Sequence, residues 1–158
     1  MVMILIPYTT FGLYPLLDKL GFEPTPLRRM TLGMFTASLA FVTVALLQHA
    51  MDAEAASGTK VHVVWQLVPY FVITLAEVMV SITGLEFGYN QAPKRMKSVI
   101  MGFWLFTVTL GNLLVAFLAG FKGLDPAQFF WVFAGLMAVA GVLFGVRAKF
   151  YIYRDYSQ

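Results

Sequence analysis

Residues 64–88 read VWQLVPYFVITLAEVMVSITGLEFG, and the fold follows from this stretch. It is long enough to cross a bilayer, since a spanning helix needs about 20 mostly apolar residues. Glu77 stands near its centre. A charged side chain at that depth costs about 2.5–3.5 kcal/mol on insertion scales, so such residues are turned away from lipid and used. Tyr70, Thr74 and Ser81 lie at i−7, i−3 and i+4 from Glu77, which places all four on one helix face. Phe71, Val72, Leu75, Val78, Met79 and Ile82 fall on the other side, where lipid or packing partners can meet them.

The surrounding composition agrees. Only 12% of the 158 residues are charged, 59% are hydrophobic and the mean hydropathy is +0.77, whereas soluble domains carry about 25% charged residues. The chain is a polytopic, all-α membrane protein. It has no cysteine, which excludes disulfides and thiolate metal sites. The net charge of +3 does not signify nucleic acid, because the charges sit almost wholly between apolar segments.

Five such segments are predicted, at about 1–17, 30–50, 64–88, 98–121 and 127–146, followed by a tail over 147–158. The first is short, contains Pro7, Gly12 and Pro15, and is expected to be the second half of a longer helix. Lys19, Arg28, Arg29, Lys94, Arg95, Lys97, Arg147, Lys149 and Arg154 fall on one side of the membrane, and Lys60 and Lys122 on the other. The positive-inside rule makes the richer side, with the C-terminus, cytoplasmic. Turns are expected at Glu23–Pro26, Ser57-Gly58, Gln91–Pro93 and Gly123–Pro126, where proline and glycine break helices. The outer loops are expected at 49–62 and 121–126.

Glu77 has two readings. It is a carboxylate satisfied structurally by a hydroxyl or cation, or a ligand-facing, proton-linked group in a watery cavity. The polar stripe beside it favours the second, because those groups find no partners in lipid. Glu86 lies near Lys94, Arg95 and Lys97; an ion pair anchoring the loop is expected, with closure of the cytoplasmic side as the alternative. Trp104, Thr107 and Gly111 share a face of the fourth span, and a tryptophan at that depth packs or lines a cavity. Asn112 can bond a neighbouring helix, and Gly141-x-x-x-Gly145 matches the small-xxx-small packing pattern. Tyr8, Thr9, Thr10, Thr36 and Ser38 are expected to bond backbone or neighbours. His49 and His62 do not cluster as metal ligands. With no phosphate loop, triad spacing or ATPase motif, the chain is not expected to be an enzyme or to hold a cofactor.

The run Trp65-Gln66, Pro69-Tyr70, Thr74-Leu-Ala-Glu77, Ser81-Ile-Thr-Gly84-Leu85-Glu86-Phe87, Gln91-Ala92-Pro93, Met96-Lys97-Ser98, Phe103-Trp104 and Gly111-Asn112 resembles the proton-coupled oligopeptide transporter family of the major facilitator superfamily. Ile6-Pro7, Leu13-Tyr14-Pro15 and Thr25–Met30 extend the resemblance over essentially the whole chain. It implies a fold of twelve helices in two bundles, of which the five segments are the eighth, in part, to the twelfth. It implies that Glu77 meets the free amino group of a di- or tripeptide, that Ser81 and Tyr70 line the same pocket, and that Trp104 shapes a side-chain pocket or outer gate. Thr74, Thr107 and Glu86 are further cavity or gate candidates.

Protons would be the coupling ion, and the lipid bilayer and an N-terminal bundle of the same transporter the partners. The short outer loop looks like that of a bacterial, inner-membrane member. The family's N-terminal half, its seventh helix and the start of the eighth are not found, so a fragment supplying half of the binding surface is expected. The alternatives are a non-transporting scaffold or assembly protein, or a relative carrying nitrate or other small solutes.

Overall fold

The computed structural model describes residues 2–19, 25–57, 62–120 and 125–152. The turns expected at Glu23-Pro24, Gly58 and Gly123-Leu124, and the basic residues Lys60, Lys122 and Arg154, lie outside the described residues. Among those described, the chain is helical and has no strand.

Five helical elements follow one another. The first, α1, covers 2–19 as Val2–Tyr8, a π turn Thr9–Leu13 and Tyr14–Lys19. Pro7 and Pro15 each remove a backbone donor, and the widened turn lies between them. The second, α2, is Pro26–Ser57, with proline at its first position, where no donor is lost. It runs on past Ala50, although an outer loop was expected from His49. The stretch Ala50–Ala56 is rich in alanine and carries Met51 and Glu54, all strong helix formers, and Gln48 Nε2 donates to Asp52 Oδ1 at 2.9 Å one turn on.

The third, α3, is Val63–Asn90. It comprises a 3₁₀ turn Val63–Gln66, an α segment Leu67–Glu77, a π turn Val78–Ile82 and an α segment Thr83–Asn90. The fourth, α4, is Lys97–Ala119, and the fifth, α5, is Pro126–Lys149. The helices α2 to α5 are each long and apolar enough to cross a membrane, by length and composition.

The core lies between α2 and α5, which pack along most of their lengths. Small residues make the α5 side of the seam, where Ala127, Ala134 and Gly141 are buried at seven-residue intervals. Ala37, Ala40 and Ala45 of α2 are buried as well. Gly141 faces Met34 and Phe35, and a Cβ on Gly145 would lie 3.1 Å from Thr31 Cγ2, so the glycine pair does bring the two backbones together as small residues do in membranes. The Ser38 hydroxyl donates to the Ala134 carbonyl at 2.8 Å. Toward the other end, Phe41 lies 5.8 Å from Phe133, which stacks on Phe129 at 4.7 Å.

The other flank of α2 carries α3. A Cβ built on Gly33 would lie 2.9 Å from Met79 Cβ and 3.2 Å from the Val80 backbone nitrogen. Here the α2 backbone comes close to the π turn, and Val78 and Met79 are buried. Among the described residues α1 packs on α3 alone, and α4 on the last segment of α3 alone. No residue of α4 is buried.

Gly33→Ala is expected to lower stability by about 1–3 kcal/mol, the usual effect of forcing a methyl into a filled contact. Gly135→Ala, on α5 with no atom within 4 Å of the new Cβ, is expected to be neutral or to stabilise by up to about 1 kcal/mol, because alanine is the better helix former. Thermal unfolding of both variants in one detergent tests the pair; equal melting temperatures would mean that α2 and α3 are not seated as described.

Candidate functional site

The π turn sets the site. It carries one more residue than an α turn would, so everything after Ile82 is rotated by about 100° relative to an unbroken helix. Glu77 is the last α residue before it. The Glu77 side chain is exposed on the bundle surface. Among the described residues it has neither an ion-pair nor a hydrogen-bond partner. The structural satisfaction weighed from sequence, by a cation or a hydroxyl, is therefore not made by this part of the molecule.

Its three stripe neighbours differ from one another. Tyr70 is exposed, two turns away along α3. Ser81 lies inside the π turn and is half-buried. Thr74 is buried, and its hydroxyl donates to the Tyr70 carbonyl at 2.6 Å, which takes its proton out of use for a ligand. Thr74, Ala76, Val78, Met79 and Thr83 are buried, and Met79 lies against Gly33 of α2. Tyr70 and Glu77 are exposed and Ser81 is half-buried, so the three form an open strip beside those buried residues.

Tyr70 also borders a hollow of about 390 Å³ between α2 and α3, with Phe41, Val44, Gln48, Gln66 and Phe130 in its walls. Neither Glu77 nor Trp104 lines it. Tyr70 is thus the residue shared by the carboxylate strip and the hollow.

Trp104 belongs to a different contact. Its indole lies over Gly84, two turns beyond Glu77 in sequence. Gly84 is buried, and a Cβ there would come within 2.9 Å of Trp104 Cζ3 and 3.1 Å of Met30 Cε. One turn on, Gly88 faces Ile100 and Met101. Gly84-x-x-x-Gly88 is therefore the seam on which α4 sits. The pair was legible in the sequence as small-xxx-small, but only Gly84 entered the family resemblance, and Gly33 carried no sequence signal beyond being a glycine in a span.

Thr107 is exposed, and its hydroxyl donates back to the Trp104 carbonyl at 2.7 Å. Gly111 faces open space. Glu86 is exposed and forms no ion pair among the described residues. Of the three cations expected to anchor it, Lys97 instead places its Nζ 3.9 Å over the Tyr89 ring, a cation–π contact. The same end of the bundle is tied by Tyr151, whose hydroxyl donates to Gln91 Oε1 at 3.3 Å and whose ring meets Phe87 edge-on at 5.5 Å. Among the described residues no group of acidic and histidine side chains is arranged to hold a metal.

A family model described as the POT family matches residues 1–141. The chain is 40% identical over 124 residues to solute carrier family 15 member 2 of Danio rerio, covering 75% of this chain and 17% of that protein. It is 37% identical over 128 residues to the Homo sapiens protein of the same name, covering 78% of this chain and 18% of that one. It is also similar to the crystal structure of an auto-inhibited POT family peptide transporter, with a TM-score of 0.85 and 41% identity over 99% of this chain and 32% of that one. A second POT family transporter, PepTSo, gives a TM-score of 0.81 at 37% identity over 94% of this chain and 31% of that one. The chain thus spans less than a fifth of these curated relatives and about a third of the solved transporters.

Gly84→Ala is expected to push the Trp104 indole off its seat, at a cost of about 1–3 kcal/mol. Gly88→Ala, whose Cβ would make only ordinary contacts at 3.7 Å, is expected to change little. With Trp65 and Trp131 replaced by phenylalanine, Trp104 is the sole tryptophan, and its emission and acrylamide quenching should shift in Gly84→Ala alone. Unchanged emission in Gly84→Ala would remove the Trp104–Gly84 contact.

Proposed function

We propose, given that the chain belongs to the POT family, that it supplies the C-terminal half of the cavity of a proton-driven symporter that imports di- and tripeptides. Its five helices belong to a major facilitator fold, and the two solved relatives are each about three times its length. Alternating access in such folds rocks one bundle against another about a central site, so the remaining bundle would come from the rest of the same transporter. The C-terminus would lie in the cytoplasm, on the side where the basic residues gather.

The observation that carries this reading is Glu77. A carboxylate at mid-span is costly in lipid, and here it is exposed with no ion-pair partner among the described residues. A mobile cationic partner of the substrate resolves that cost, and a peptide's α-amino group has the required charge. The open strip of α3 would then line the aqueous cavity, with Tyr70 and Ser81 flanking the carboxylate. Trp104, fixed over Gly84, would wall the same cavity on its basic-rich side and shape the space for a peptide side chain. Thr74 and Thr107 would support the wall through backbone contacts, since both hydroxyls are bonded to carbonyls. Glu86 would lie at the cytoplasmic rim. The bound peptide and the proton are the only small partners this reading needs.

Uptake of a labelled dipeptide by the complete transporter tests it. Glu77→Gln, with expression retained, is expected to reduce uptake to background. An N-acetylated dipeptide is expected to compete at least tenfold more weakly than the free one in the parent, a loss of about 1.4 kcal/mol, and no more weakly than the free one in residual binding to Glu77→Gln. Undiminished uptake in Glu77→Gln would take the carboxylate out of the site.

A further inference from the structure

A second hollow lies at the basic end of the bundle, away from the Glu77 strip. It measures about 500 Å³ and sits between the start of α2 and the end of α5. This is within the usual range of about 300–1,000 Å³ for small-ligand sites. Its polar lining includes Arg28, Lys149, Thr25 and Tyr151, and among the described residues no acidic side chain lines it. Arg28 and Lys149 are both exposed. Leu27, Leu32 and Phe35 make its apolar wall.

The apolar wall continues in one direction only. On α2, Leu32 and Phe35 follow Arg28 by one and two turns on the same face. Phe35 and, a turn further, Leu39 are exposed at 42% and 56%. From Arg28 to Leu39 the helix rises about 16 Å, close to the depth of one leaflet, half of a hydrocarbon core of about 30 Å. On α5, Val146, Leu143 and Val139 are exposed along the run that leads away from Lys149. A cationic head and an apolar groove of leaflet depth thus share one line on the outside of the α2·α5 pair.

We propose that this hollow is a binding site for an anionic phospholipid, with the phosphodiester between Arg28 and Lys149 and an acyl chain along Phe35 and Leu39. Arg28 offers a planar fork suited to two phosphate oxygens, and Lys149 a point charge. Basic pockets between helices at this depth are suited to lipid headgroups. The Tyr151 ring forms the remaining wall, held in place by Phe87 and Gln91. A bound lipid would therefore bear on the contact that joins the end of α5 to the end of α3. Free phosphate meets the two charges but leaves the groove empty. The chain's own Asp155, three residues beyond Ile152, is the competing anion.

Native mass spectrometry of the purified chain, titrated with phosphatidylglycerol or phosphatidylcholine in one detergent, decides. Phosphatidylglycerol is expected to be retained at least tenfold better than phosphatidylcholine. The double variant Arg28→Gln, Lys149→Gln is expected to abolish that preference, while Lys94→Gln, Arg95→Gln, on the other basic turn, keeps it. Phe35→Ser is expected to weaken phosphatidylglycerol several-fold, and Asp155→Asn to change nothing. Equal losses in the two charge pairs would reduce the effect to general surface charge and overturn the site. So would full competition by inorganic phosphate, or a several-fold gain in Asp155→Asn, which would assign the hollow to the tail. None of these readouts depends on transport.

Discussion

The approach of Gly33 to Val80 is the constraint from which the rest of the arrangement follows. A side chain on residue 33 would collide with Met79 and Val80, including main-chain atoms, so α2 and α3 can meet at this depth only through a glycine. The part of α3 that meets it is the π turn Val78–Ile82, whose extra residue resets the rotation of the helix. Above the turn, α3 presents Tyr70 and Glu77 to the open strip. Below it, α3 turns Gly84 and Gly88 toward α4. The single irregularity therefore lets one helix serve two faces that a straight helix would hold in one row.

Around that contact the bundle divides by how it is held. The α2·α5 side is closed by alanines, glycines, a cross-helix Ser38–Ala134 hydrogen bond and a phenylalanine cluster. Small residues permit dense van der Waals contact, which drives helix association where lipid removes the hydrophobic effect as a force between helices. The α3–α4 side is held by a two-glycine seam and leaves α4 without a buried residue. Under the proposed function, the sparsely packed α4 side is the one left for contacts that the described residues do not supply.

Much of this was legible in the sequence, for reasons that can be located. Length and hydropathy mark the spans because a bilayer imposes a thickness. Glu77 stood out because one carboxylate among apolar residues is costly in lipid, although a structural and a ligand-facing reading both stayed open. Gly141 and Gly145 were read as a packing pair, and they pack. The extension of α2 to Ser57 was missed because hydropathy falls after Ala50 while helix propensity does not. The burial of Thr74 was missed because a helical wheel places it beside Glu77 and cannot show which edge of a polar stripe is covered. The π turn has no periodic signature, so the relation of Ser81 and Gly84 to Glu77 needed coordinates. The Glu86 ion pair was expected from charge alone, and charge pattern cannot show that Lys97 lies over the Tyr89 ring instead.

Seven threonines of these helices share a habit. Thr9, Thr31, Thr36, Thr43, Thr74, Thr107 and Thr109 each donate their hydroxyl to the carbonyl three or four residues before. A hydroxyl engaged in this way has already left water before its helix reaches the bilayer. Scales that charge each threonine the full dehydration of a free alcohol therefore overstate the work of placing these segments in an apolar medium.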